Sequence, residues 1–276
     1  MSACLEFRTL GKRYAEVQAL DGIDFSVERG SVLAVLGPNG AGKSTLFGCI
    51  LGFVKLTAGD VVAGSRRIDS EFRRRIGYLP ERVALYPQMR VHENAMFFAR
   101  LKRQPANDVE RQLRRVGLYD VRERAVGKLS KGMLQRLGLA IALCGAPGLL
   151  ILDEPFNGLD PALLETLQAI LAEERERGAT LLISTHTMSA VEPLATHVAV
   201  LLEGRLAAHG SMAELREAFG DVSLEAHMRV AEVGERAALL RSGPRSPWQE
   251  RQSSQRGARA QNVPAGDSGV SHITLF

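Results

Sequence analysis

Apolar and polar positions along the first 80 residues fall into short strand-like blocks. Ile23-Asp24-Phe25-Ser26-Val27 alternates with a period of two, which marks a strand with one buried face. Leu5 to Arg8 reads as another short strand. Val32 to Leu36 is apolar throughout and ends in a glycine-rich turn. A helix is expected from about Gly42, with Leu46, Phe47, Ile50 and Leu51 along one side. Ile76 to Leu79 forms a further strand, stopped by Pro80. From Val91 to about Gly145 the spacing is mainly helical. Phe97, Phe98 and Leu101 mark one apolar face there, and Leu113, Val116 and Leu118 another.

The second half alternates strand and helix. Leu149 to Leu152 and Leu181 to Ser184 read as buried strands. Between them, Asp160-Pro161 has the form of an N-cap followed by proline in the first turn. Leu163, Leu164, Leu167, Ile170 and Leu171 give that helix its stripe, and Gly178 ends it. Val198 to Leu202 and Arg205 to Ala208 flank Glu203-Gly204 as a hairpin. Ser211 with Glu214 forms a capping box for a last helix. This alternation predicts an α/β fold with a parallel core sheet, and the early strands suggest an antiparallel β edge.

Length and composition bound the rest. The 276 residues are 45% hydrophobic and 24% charged, which excludes a wholly disordered chain and a disulfide-stapled miniprotein. Composition shifts after about Gly234, and residues 241–269 are rich in Arg, Ser, Gln, Gly and Pro. The expected division is one domain over 1–234, with a helical subdomain at about 85–146, and a disordered basic tail over 235–276 that holds the single tryptophan, Trp248. Lys and Arg number 35 against 31 Asp and Glu. The net charge of +4 suits an anionic small ligand or a membrane surface better than nucleic acid. The five arginines between Arg66 and Arg75 read as a solvated cluster. Cys4, Cys49 and Cys144 are far apart and fit reduced, buried thiols. The longest apolar run, Leu137 to Leu152, is interrupted at Pro147 and falls short of the roughly 18 residues of a membrane span, so none is expected.

Two motifs carry chemistry. Gly37-Pro38-Asn39-Gly40-Ala41-Gly42-Lys43-Ser44 matches GxxxxGK[ST] between a strand and a helix. Glycines let successive backbone N–H groups turn toward phosphate oxygens, and the helix N-terminus adds partial positive charge. Lys43 is expected on the terminal phosphates and the Ser44 hydroxyl on Mg²⁺, with Thr45 completing the phosphate-binding set. The second motif is the strand ending in Asp153-Glu154. Two successive acids at a strand end diverge, so Asp153 suits the Mg²⁺ shell and Glu154 the attacking water.

Further residues extend this pattern into a family resemblance. Leu129-Ser130-Lys131-Gly132-Met133, followed by Gln135-Arg136, resembles the signature motif of ABC-transporter ATPase subunits. Asn157-Gly158-Leu159-Asp160 resembles that family's D-loop, and Ser184-Thr185-His186 its switch-histidine segment. The resemblance runs over about residues 3–230. It implies a P-loop NTPase core with a parallel sheet, an antiparallel β subdomain and a helical subdomain. It also implies that Tyr14 stacks on adenine, that His186 lies near the γ-phosphate, and that Ser130 and Gly132 face ATP held by a partner subunit. Asp160 joins the nucleotide-binding set on the same ground. The implied chemistry is hydrolysis of ATP, with Mg²⁺.

Two departures stand out. Glu81 follows Tyr78-Leu79-Pro80 where the family usually has Gln, and it remains able to hold Mg²⁺. Lys131 replaces a glycine of the signature, and its ammonium could attract phosphate or face solvent.

The resemblance further implies a homodimer or a heterodimer of such ATPases. Separate integral membrane permease subunits would be the partners, with no nucleic acid. The expected location is the cytoplasmic face of the inner (plasma) membrane, held peripherally. The segment from Glu81 to Asn94 resembles the surface that receives the permease. There Val83, Leu85 and Tyr86 either face a partner or cap the helical subdomain's own core. Tyr78-Leu79-Pro80-Glu81 and Ser130-Lys131-Gly132-Met133 resemble ABC-2-type exporters. Leu85-Tyr86-Pro87 and Phe97-Phe98-Ala99-Arg100-Leu101-Lys102 look similar to ATPases of nitrous oxide reductase maturation. The competing class is a soluble ABC ATPase acting on ribosomes or nucleic acid.

Overall fold

The computed structural model describes residues 3–64 and 66–214. The tail expected over 235–276, with Trp248, lies outside the described residues, as does most of the helix expected after Ser211.

The chain opens with two long antiparallel strands, β1 (Ala3–Tyr14) and β2 (Val17–Glu28). The central strand β3 (Val32–Leu36) follows, then α1 (Lys43–Leu51). β4 (Ala58–Ala63) and the two-residue β5 (Arg66–Arg67) return to the first sheet. A short α2 (Ser70–Arg74) leads to β6 (Ile76–Leu79). Three helices come next: α3 (Val91–Leu101), α4 (Ala106–Arg115) and α5 (Lys131–Leu143). The chain then runs through β7 (Leu149–Asp153), α6 (Pro161–Glu176), β8 (Thr180–Thr185), α7 (Met188–Val191), β9 (His197–Leu202) and β10 (Arg205–Ser211).

Two sheets result. The larger has the order β10-β9-β3-β8-β7-β6, parallel from β9 to β6. The smaller has the order β2-β1-β4-β5 and is antiparallel. The early strands therefore form their own layer, and β10 supplies the antiparallel edge of the core sheet.

The alternation of side chains builds a core on each face of the large sheet. Val32, Ala34 and Leu36 point into one, with Leu150, Leu152, Leu181 and Ile183. Leu33 and Val35 point into the other, with Leu149, Ile151 and Leu182. The first core is closed by α3 to α6, the second by α1 and the antiparallel sheet. Burial on both faces is why these strands read as unbroken apolar runs.

Some expectations change. β1 runs on to Tyr14 with several register irregularities, because Lys12, Arg13 and Tyr14 still pair with β2 at the exposed end of the hairpin. The helix α3 buries Val91, Asn94, Ala95 and Ala99, and leaves Phe97 and Leu101 exposed. The apolar face expected at Phe97, Phe98 and Leu101 is thus mainly outward, with Phe98 alone packed on the core. Asn94 holds the buried side in place: its amide donates to the Tyr86 carbonyl at 3.0 Å, and its oxygen accepts from the Tyr86 N–H at 2.9 Å. The arginine cluster is partly paired, Arg67 with Asp60 and Arg75 with Glu71, while Arg73 donates to the Ile50 carbonyl. All three cysteines are free and buried. No helix among the described residues is long and apolar enough to cross a membrane.

Candidate nucleotide site

The end of β3 and the start of α1 are joined by the loop 37–42. Gly42 stands at the helix start in left-handed backbone, φ +104°. A Cβ there would come 2.6 Å from the Ala19 carbonyl oxygen and 2.9 Å from Leu20 Cδ2, so both the conformation and the space require glycine. A Cβ at Gly37 would meet the Leu201 carbonyl oxygen at 2.4 Å. No side chain caps α1, which leaves its first N–H groups to an anion.

An open cleft of about 530 Å³ lies over this loop. It brings together Pro38, Asn39, Gly40, Gly42, Lys43, Ser44 and Thr45 with Glu81, Glu154 and His186, residues that are far apart in sequence. The parallel sheet does this. β3, β6 and β7 all end on the same side, and the turn after β8 delivers His186.

At the floor of the cleft, Lys43 is buried. Its Nζ donates to the Gly37 carbonyl at 2.6 Å and to the Pro38 carbonyl at 3.3 Å. It also stands 3.3 Å from Glu154 Oε1. That contact is an ion pair without hydrogen-bond alignment, since Oε1 is buried and has no hydrogen-bond partner. The other carboxylate oxygen, Oε2, lies 3.0 Å from His186 Nδ1.

Glu154 also carries backbone strain. Its φ is +49°, unusual for a residue with a Cβ and costing roughly 1 kcal/mol. The bend is held by its own N–H, which donates to Ser184 Oγ at 2.9 Å. The Ser184 hydroxyl in turn donates to Asp153 Oδ1. One buried serine on β8 therefore fixes both acids at the end of β7. Asp153 is buried, and the nearby Tyr78 phenol is pushed up to about 12 by its own burial first, then by the charges of Asp153 and Glu81.

Six expected nucleotide residues lie outside the cleft lining: Tyr14, Gly37, Ala41, Ser130, Gly132 and Asp160, as does the expected metal residue Asp153. Tyr14 is exposed at the β1–β2 hairpin end, with Lys12 Nζ 4.5 Å from its ring centre. Its cross-strand partner Val17 lines the cleft instead. Ser130 caps α5, accepting from the Met133 N–H at 3.3 Å, and Gly132 follows in that helix's first turn. The carboxylate of Asp160 caps α6, accepting from the Leu163 N–H at 2.9 Å, as its place before Pro161 predicts. Arg136 donates to the carbonyls of Val116 and Gly117 and holds the end of α4.

The sequence reading missed Ser184 as the link between the acids, and Val17 and Glu203 as cleft residues. A serine in a buried strand directly before Thr185-His186 was a usable signal, because a buried hydroxyl needs a partner. The places of Val17 and Glu203 depend on how two hairpins fold over the loop.

Comparison with known proteins agrees with this geometry. Residues 20–157 match the family model described as ABC transporter. The chain is 36% identical over 202 residues to the lantibiotic transport ATP-binding protein SrtF of Streptococcus pyogenes, covering 73% of this chain and 88% of that one. It is 36% identical over 211 residues to the bacitracin transport ATP-binding protein BcrA of Bacillus licheniformis, covering 75% of this chain and 69% of that one. A solved structure of an ATP-binding subunit of an ABC transporter superposes with a TM-score of 0.75 at 30% identity, over 83% of this chain and 99% of its own. In sequence and in fold, the chain belongs to the ABC transporter family, as an ATP-binding subunit that hydrolyses ATP.

Proposed function

We propose that this subunit drives an exporter, and that ATP closes two copies, or this chain and a related ATPase, over the nucleotides. The observation that carries the reading is the buried pair Lys43 and Glu154 beside the phosphate loop, with the half-exposed His186 on the outer oxygen of that acid. In this reading Lys43 exchanges the Gly37 and Pro38 carbonyls for phosphate oxygens. Glu154 then orients a water and takes its proton, and His186 holds Oε2 of that acid. Gly37 to Thr45 cradle the phosphates.

The oxygen donors Ser44, Asp153 and Glu81 fit Mg²⁺, which prefers hard ligands and few protein groups. The exposed Ser44 at the helix start and the orphaned Glu154 Oε1 below it leave acceptors and charge for a cation-bearing phosphate. Bound there, Mg²⁺ would neutralise charge on the phosphates.

Ser130, Gly132 and Asp160 lie outside their own chain's cleft, which supports their use on a second chain's nucleotide. In this reading Tyr14 stacks on the base, and its pairing with the cleft residue Val17 supports that role. Residues 1–234 make up the ATPase domain in this reading, with 85–146 as its helical subdomain.

The partner would be a separate permease, with the subunit peripheral on the cytoplasmic face of the inner membrane. Support comes from an exposed apolar surface. Tyr86, Phe97 and Leu101 are 47%, 37% and 65% exposed, and the Tyr86 and Phe97 rings meet edge-on at 5.2 Å. Val83 and Leu85, by contrast, pack on the helical core. Export is the direction suggested by the ABC-2-like motifs and by relatives named for lantibiotic and bacitracin transport. The narrower likeness to nitrous oxide reductase maturation ATPases rests on Leu85-Tyr86-Pro87 and Phe97 to Lys102 alone.

The test is a tagged Glu154→Gln chain recovered from gently solubilised native membranes with and without MgATP. The expected result is hydrolysis reduced at least about 100-fold, ATP-dependent self-association, and co-recovery of a polytopic membrane protein. Unchanged turnover would remove Glu154 from its role. Recovery of ribosomes or nucleic acid in place of a membrane protein would overturn the transport reading.

A further inference from the structure

The first turn of α5 is docked onto the loop that leaves Glu154. Gln135 Nε2 donates to the Pro155 carbonyl at 3.3 Å. A Cβ on Gly158 would stand 3.0 Å from Lys131 Nζ, and one on Gly132 would stand 3.1 Å from Leu163 Cδ2. Three points of one helix start thus rest on residues 155–163. Within that stretch the Asn157 N–H donates to the Glu154 carbonyl at 3.2 Å, and Asn157 itself lines the cleft.

These contacts matter because Glu154 is strained. A left-handed φ at a glutamate persists only when its surroundings determine it from both sides. Upstream, Ser184 Oγ holds the Glu154 N–H. Downstream, among the described residues, the side-chain bond to the next carbonyl comes from Gln135. The lysine is informative too. Lys131 is the first residue of α5, where a cation opposes the helix dipole, and no carboxylate pairs with it among the described residues. Its ammonium end instead lies over Gly158, a glycine at φ +73° whose missing side chain leaves the room.

We propose that Gln135, with Lys131, is a positioning residue for ATP hydrolysis. The pair ties the start of α5 to the Pro155–Asp160 loop and so sets where the Glu154 carboxylate stands. A displacement of the Ser130–Gly132 turn is then felt at the acid through Pro155. The inference rests on Glu154 being the hydrolytic acid, as proposed above.

The experiment uses the full chain and compares Gln135→Met, which keeps the length and removes the donor, with Gln135→His, which keeps a donor. Lys131→Met is measured beside them. Gln135→Met is expected to lower kcat about 10-fold, with KM for ATP changed less than 2-fold and an unchanged melting temperature. Gln135→His is expected to recover at least half of that loss, and Lys131→Met to lower kcat about 3-fold.

The deciding readout is single-turnover hydrolysis in a Glu154→Gln background. There Gln135→Met is expected to add less than a 2-fold loss, because its effect passes through the acid. A full further 10-fold loss, or a Gln135→Met chain with unchanged kcat, overturns the proposal. If Glu154→Gln alone leaves hydrolysis intact, the assignment of the acid has failed, which is a separate outcome.

Discussion

His209 lies on β10 with its ring centre 4.8 Å from that of Phe25. Burial holds its imidazole down at about 4, against an ordinary 6.5; the neighbouring His197 adds to the shift and Glu214 opposes it. Between those two values the unfolded chain binds a proton that the folded chain refuses. Stability therefore rises with pH across that window and is lost as pH falls from 6.5 toward 4. In thermal melts over pH 4 to 7, His209→Leu is expected to flatten this part of the profile. An unchanged slope would place the acid sensitivity in another group. At this scale the sequence was informative about chemistry and silent about neighbours. Lys43, Asp153 and Glu154 were legible from their motifs, but the hydroxyl of Ser184 joining both acids was not. Nothing in a sequence says that residues 153 and 184 stand side by side on adjacent strands.

Between elements, one ion-pair cluster ties the helical layer to the core sheet's own helix. Arg115 at the end of α4 donates to Glu174 Oε1 and to Glu173 Oε2 on α6, each at 2.7 Å. Glu174 is almost fully buried and accepts from Arg177 as well. Arg115→Met removes one of two cations from a buried carboxylate and should cost about 1–3 kcal/mol in urea unfolding. Glu173→Gln, at an exposed acid, should cost under about 1 kcal/mol. Equal costs would show that burial does not rank the two acids. The elements themselves were legible in proportion to burial. β3, β6, β7 and β8 are close to their expected spans, because apolar runs buried on both faces leave no ambiguity. β4 was not recognised, since within Ala58–Ala63 only Val61 and Val62 are buried. In α3 the aromatic residues drew attention to the wrong face. The helix is anchored by small residues and by the hydrogen-bonding Asn94, which carry little weight in a hydropathy pattern.

For the whole molecule, the exposed aromatic surface on α3 is the feature that points beyond the chain. Such surface is costly to leave in water, which is why it is the docking face of the proposed membrane partner. Phe97→Asp is expected to abolish co-purification of the membrane partner while the isolated subunit keeps ATP hydrolysis within about 2-fold. Retained co-purification would move the docking surface elsewhere.

The sequence by itself marked the glycine-rich loop, the adjacent acids at the end of β7, the buried strands of the core sheet and the family, because each depends on local spacing or an unbroken run. Only the tertiary structure decided which distant residues share the cleft and which face of α3 is left outside. It also decided that Ser130 and Gly132 lie outside the lining of their own chain's cleft. Those outcomes depend on strand order and on how the helical layer packs, and such contacts lie between residues that no local pattern connects.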